Sequence, residues 1–174
     1  MKYFKITFVI LLCGFYTTLQ AQVEETKPIS KQKTLADFRI NEASENGKDI
    51  TPLVVNREYY LTLFKSENFY NLQFAIVCDS DDSQSYGSIY SIKKETQPRT
   101  AVNSKSEFYS FYWSYNNSYD AQIGTAKMNL WIDYEPSRTH YTLLLRYENL
   151  EEFVYKGYLD GDLSSLACET KDNK

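Results

Sequence analysis

From Arg57 onward, apolar and polar residues alternate with period two, and no stretch sustains a helical period. The alternation predicts strands over 57–65, 69–78, 86–94, 107–115, 122–134, 139–148 and 152–159, with turn residues between them. Residues 34–52, TLADFRINEASENGKDITP, carry a weaker pattern that fits one short strand or a helix, and NGKD within it is a turn signal. With one strand before Thr51, the count reaches about eight.

The stretch from Thr125 to Leu159 can be checked against itself. Ala126, Met128, Leu130, Ile132 and Tyr134 share one strand face, and Lys127, Asn129, Trp131, Asp133 and Glu135 share the other. A hairpin closed at EPSR, residues 135–138, sets Ile132 opposite Tyr141, Leu130 opposite Leu143, Met128 opposite Leu145 and Ala126 opposite Tyr147. Both apolar faces then fall on one side, as a half-buried antiparallel pair requires. A three-residue loop at NLE continues the meander, with Tyr147 opposite Phe153 and Leu145 opposite Tyr155. Segment 69–78 has an equally clean face of Tyr70, Leu72, Phe74, Ile76 and Cys78. Its partner face is either Tyr59, Leu61 and Leu63 after a two-residue turn, or Tyr60, Thr62 and Phe64 after a three-residue turn.

Sequential antiparallel strands of this number suit an all-β, up-and-down barrel, which leaves no strand edge exposed. A two-sheet β-sandwich is the alternative architecture. The NGKDITP opening, followed by a strand meander in an exported chain of this size, resembles bacterial lipocalin-like domains. That resemblance implies a barrel with a small, partly apolar ligand inside. The Gly-x-Trp signature that opens many lipocalins is absent, since the tryptophans are Trp113 and Trp131.

The first 21 residues read as a secretory signal: Lys2 and Lys5, an apolar run from Ile6 to Tyr16, then Ala21 before a polar stretch. Eleven apolar residues are too few for a span that needs about 20. Leu12 stands before Cys13 where lipidation would want a small residue, so soluble export to the periplasm or exterior is expected over lipid anchoring. Residues 22–33 form a polar leader, and 34–174 are expected to form a single β domain. Loss of Lys2 and Lys5, with no acid removed, takes the formal charge from −4 to −6. An acidic surface argues against nucleic acid or an anionic membrane as partner. Cys78 and Cys168 are the two cysteines left after cleavage, and an even count in an oxidising compartment points to a disulfide between them.

The sequence is poorly equipped for several chemistries. His140 is the sole histidine, and the hairpin register places it on the outer side opposite Asp133, as an ordinary cross-strand pair. DSDDSQSYGSIY, residues 79–90, begins like a calcium loop but has Gln84 and Tyr90 where an EF-hand needs Gly and Glu. Glu148, Glu151 and Glu152 cluster at a hairpin turn, where neighbouring acids keep the surface soluble and no motif sets two of them across a cleft, and no phosphate-cradling glycine loop occurs. No metal site, cofactor or catalytic constellation is therefore expected, and the chain reads as a non-enzymatic binding protein.

The densest chemistry is aromatic. SEFYSFYWSYNNSYD, residues 106–120, has seven aromatics, and its odd positions include Tyr109, Phe111, Trp113 and Tyr115. Period two turns these inward, as core or as the wall of a cavity whose tyrosine hydroxyls need polar partners. Trp131 falls on the polar outer face, either covering its neighbours or offering a stacking surface for a saccharide or protein. These five residues are the candidate ligand contacts. An exposed-aromatic interaction or carbohydrate-binding module is the second functional class.

Overall fold

A computed structural model describes residues 32–95 and 105–169, the side chains of Lys105 and of residues 167–169 excepted. The expected signal segment, and the leader up to residue 31, lie outside the described residues. The elements run β1 (Gln32–Glu45), β2 (Lys48–Asp49), α1 (Thr51–Asn56), β3 (Tyr59–Ser66), β4 (Gln73–Cys78) and β5 (Ser83–Glu95). They continue as β6 (Lys105–Asn117), β7 (Ile123–Tyr134), β8 (Thr139–Tyr147), β9 (Glu152–Gly161) and α2 (Ser164–Glu169). Every strand pair is antiparallel, and β1 pairs with both β3 and β9, so eight strands close into an up-and-down barrel with β2 as a short extra strand on β1. Closure decides between the two architectures the alternation allowed: the protein is a barrel. Among the described residues no helix is long and apolar enough to cross a membrane.

The β7–β8 hairpin has the register its alternation predicts, with Ile132 opposite Tyr141 and Ala126 opposite Tyr147. The β8–β9 pair differs by two residues. Leu145 faces Phe153 and Leu143 faces Tyr155, because the three-residue turn covers 148–150, one residue earlier than expected, with the Tyr147 amide donating to the Glu151 carbonyl at 2.9 Å. An even shift keeps the same side chains inside. Likewise β3 turns Leu61 and Leu63 inward against Ile76 and Phe74, but across a six-residue connection. Tyr70 lies in that connection, fully exposed, so it leaves the inner face expected for it.

The main departure is β1. The region read as one short strand or helix is a 14-residue strand, the longest in the barrel, and it begins inside the stretch assigned to the leader. Two bulges hide it, one between Thr34 and Ala36 against β3, the other between Ile40 and Glu42 against β9. Each bulge moves the inward set by one residue, so Ala36, Phe38 and Ala43 are buried without a single continuous alternation. Both bulges meet glycines of β9. A Cβ on Gly157 would collide with the Arg39 carbonyl oxygen, and one on Gly161 (φ +129°) with the Leu35 carbonyl oxygen. The Asp162 amide also donates to that Leu35 oxygen at 2.8 Å.

The interior is packed. Phe38, Leu61, Leu63, Phe74, Ile89, Trp113, Met128, Leu130, Ile132 and Leu143 are among its fully buried side chains. Ring edges interlock: Phe38 meets Phe74 and Tyr141, and Phe74 meets Trp113 with centroids 5.6 Å apart. Trp113 Nε1 donates to the Phe74 carbonyl at 3.1 Å, which satisfies the buried indole. Helix α1 sends Val54 into one end, and α2, with the turn before it, sends Leu166 and Leu163 into the other.

Cys78 corrects the expected disulfide. It is a free, buried thiol whose Sγ donates to the Arg57 carbonyl and lies 3.4 Å from Ser80 Oγ. It ends β4 beside the start of β5, whereas the helix carrying Cys168 follows β9 at the opposite end of the barrel. The Cys168 side chain lies outside the described residues.

Gly157→Ala is expected to cost at least ~1–3 kcal/mol, because a methyl there must push β1 away from β9. Urea unfolding should show a lower midpoint; an unchanged midpoint would mean the seam tolerates a side chain.

Candidate functional site

Recesses open at the two ends of the barrel, and different chemistry lines each. The larger, about 440 Å³, lies at the end where β4 passes into β5 and β8 into β9. Its wall carries Tyr59, Tyr119, Tyr147, Phe153 and Tyr155, with Ile76 and Cys78 deeper and Arg57, Asp81, Ser83, Gln84 and Ser85 around them. The alternation builds this wall: Tyr59, Tyr147, Phe153 and Tyr155 are inward positions at strand ends, where the core gives way to solvent. The rings brace one another. Tyr147 meets Phe153 edge-on at 5.7 Å, Phe153 stacks on Tyr155 at 6.3 Å, and Tyr115 meets Tyr147 at 5.4 Å.

Polar groups at this mouth are largely held by one another. Arg57 pairs with Asp81, and its guanidinium lies over the Tyr59 ring. Asp81 also accepts from the Ser83 hydroxyl, inside a 3₁₀ turn over Asp79–Asp81. That turn is the stretch with the calcium-like spacing. Ser85 Oγ donates to Asn117 Oδ1 at 2.6 Å, and Asn117 Nδ2 donates to the Tyr119 hydroxyl at 3.1 Å. Burial pushes the hydroxyls of Tyr59, Tyr147 and Tyr155 above the ordinary phenol range, so each is neutral at physiological pH. The mouth therefore offers ring faces, neutral hydroxyls and one internally paired charge.

The opposite end holds a cleft of about 250 Å³ bordered by Lys94, Glu107, Tyr109, Tyr134, Asp162 and Ser164. A β5 bulge places Lys94 there. Ser91 takes a positive φ of +54°, the register shifts between Tyr90 and Lys93, and Ile92 and Lys94 share the inner side with Ile89. Lys94 Nζ reaches Glu107 Oε1 at 2.7 Å, while Tyr109 and Tyr134 donate to Glu107 Oε2 at 2.9 and 3.0 Å. Burial raises the carboxyl's pKa. The hydrogen bonds from Lys94, Tyr109 and Tyr134, with the lysine charge, outweigh it and hold the group at about 2. Nothing in the plain alternation of β5 marks Lys94 as inward; only Glu107's odd position on β6 hints at this cluster.

The five aromatic candidates separate. Phe111 and Trp113 are core, and Tyr109 is buried at the foot of the Glu107 cluster. Tyr115 bridges Trp113 and Tyr147, one ring behind the larger mouth. Trp131 lies on the outer face, half-buried against Phe108 with centroids 4.9 Å apart and opposite Thr142. His140 sits opposite Asp133, as its register predicts, with Nε2 3.6 Å from Glu135 Oε2. Tyr59, Tyr119, Phe153 and Tyr155 were not singled out as a site because they come from three separate places in the chain, the start of β3, the β6–β7 loop and the start of β9. Only closure brings them together.

Comparison of the chain with protein-family models, with curated proteins and with solved structures returns no match.

A carboxyl held low in the folded state contributes stability above its unfolded pKa, and that contribution disappears as pH falls toward the folded value. For Glu107 the window runs from about 4.5 down to about 2. Glu107→Gln is expected to lower stability at pH 7 and to flatten this part of the acid limb. Thermal melts from pH 7 to 2 test it, and parallel curves for the two proteins would contradict it.

Proposed function

We propose that this is a non-enzymatic binding protein of the cell exterior or periplasm, and that its ligand seats at the tyrosine-lined mouth, not in the barrel centre. The observation that carries this reading is the contrast between a close-packed interior and an aromatic recess of about 440 Å³ at one end. An eight-stranded barrel is just wide enough for its own side chains to fill or for one small ligand. Here Trp113, Phe74 and Phe38 occupy the middle. The lipocalin-like reading of the opening residues is kept as a reading of the fold, with the binding place moved outward.

The chemistry of the wall names the ligand class. Ring faces favour a flat or cyclic apolar body, and neutral hydroxyls favour uncharged donors and acceptors at its edge. Arg57 is already engaged by Asp81, which disfavours an anion. The exterior carries Lys127, Arg146, Lys156 and Asp160 while the interior is apolar, the reverse of a lipid-embedded barrel.

Saturation-transfer NMR with a panel of small uncharged ring compounds, such as phenols, indoles and cyclic alcohols, tests the mouth. At least one compound is expected to receive saturation from the intact protein and to lose most of it with Tyr119→Ala, whose exposed side chain costs the fold only about 0.5 kcal/mol. Transfer that survives Tyr119→Ala and Phe153→Ala alike, in folded proteins, would place the ligand elsewhere.

A further inference from the structure

The outer surface of β5, β6 and β7 is built in rungs of a kind found on no inner face. Reading across the three strands, Glu95, Phe108 and Trp131 form one row, and Lys93, Ser110 and Asn129 the next. Then follow Tyr90, Tyr112 and Lys127; Ser88, Ser114 and Thr125; and Tyr86, Asn116 and Ile123. Aromatic rows thus alternate with rows of hydroxyl or amide side chains. Successive aromatic rows lie four residues apart along β6 and β7, about 13 Å at a rise of ~3.3 Å per residue, and the β5 bulge adds one residue between Tyr90 and Glu95. Tyr90 and Tyr112 stack, their ring planes 21° apart. Tyr86, Tyr90 and Tyr112 are 37%, 38% and 42% exposed, so each ring keeps a free part.

Charge separates this surface from the rest of the barrel. Between Tyr86 and Ser110 the rows contain no acid, and Lys127 is the one cation on them apart from Lys93. Elsewhere on the exterior, ion pairs such as Arg146–Glu152 and Lys156–Glu42 join neighbouring strands. On a chain with a formal charge of −4, a band of Tyr, Ser, Asn and Thr with two lysines, and with Glu95 in its end row as its one acid, is a local departure.

We propose that this band binds an uncharged polysaccharide chain laid across the rows. A sugar ring presents an apolar C–H face to an aromatic ring and hydroxyls around its rim, which matches rings alternating with hydroxyl and amide rows. A protein partner fits less well, because a protein interface centres on a contiguous desolvated apolar patch. Here serines and threonines interrupt the aromatics at every second row. Strand addition to this face is also excluded, since β5, β6 and β7 are each paired on both sides. Trp131 and Phe108 form the end row, which gives the outward tryptophan a place in an extended site.

Affinity electrophoresis of the full chain through gels containing xylan, laminarin, galactomannan, hydroxyethyl cellulose or, as the charged comparison, alginate tests the proposal. At least one uncharged polymer is expected to retard the protein. The double variant Tyr90→Ala with Tyr112→Ala should weaken that retardation about tenfold, while Tyr112→Phe, which keeps the ring, should stay within about twofold. Circular dichroism melts of each variant confirm folding, and Tyr119→Ala at the mouth should leave retardation unchanged. Retardation by alginate alone, by none of the polymers, or equally in the folded double variant would overturn the proposal. So would capture of a protein partner that the double variant abolishes in the absence of any polysaccharide binding.

Discussion

Everything in this molecule depends on the seam between β1 and β9. Seven strands follow one another as a meander and would form a curved sheet with two open edges. β1 closes it by pairing with β3 on one side and β9 on the other. The pairing is possible because the two bulges of β1 lie against Gly157 and Gly161, whose missing side chains let the backbones approach. Closure removes both edges and converts one apolar sheet face into a sealed interior. Gly161 adds a conformational requirement, since its φ of +129° is a region that residues with a Cβ rarely adopt.

Once the seam is shut, the rest of the chemistry is placed by position along the strands. Inward residues midway along are crowded and dry, and they become core: Trp113, Phe74, Leu130, Leu143. Inward residues at the strand ends cannot be enclosed, so one end becomes a ring of tyrosines and the other a charged knot around Glu107. Outward residues are free of packing demands, and on β5–β7 they are spent on tyrosines and hydroxyls rather than ion pairs. The same alternation therefore yields a solid core, two unlike mouths and an unlike outer band.

How much of this was legible follows from where the alternation is unbroken. β7 and β8 alternate without interruption, so their register could be worked out to the residue. β9 kept its inner face but slipped by two, because the three-residue turn falls at 148–150 and polar residues on either side suit a turn one residue later equally well. β1 was obscured by its bulges and by small inward residues such as Ala36 and Ala43, which carry little apolar signal. Lys94 was hidden the same way, behind the bulge at Ser91. Of the candidate contacts, Trp113 and Phe111 were correctly turned inward, yet being inward made them core. The tyrosines of the mouth and of the outer band are scattered in the chain, and only the closed barrel makes them neighbours. The expected disulfide was unreadable for a different reason: cysteine counting carries no information about which end of a barrel each thiol occupies.

Amide hydrogen exchange along β1 tests closure most directly. In a shut barrel, the β1 amides between Ala36 and Arg39 exchange as slowly as those of β7, because both stretches are paired on two sides and open only with the whole fold. Fast exchange confined to β1, with β7 still protected, would mean that the seam is open and that the two mouths and the packed interior do not exist as described.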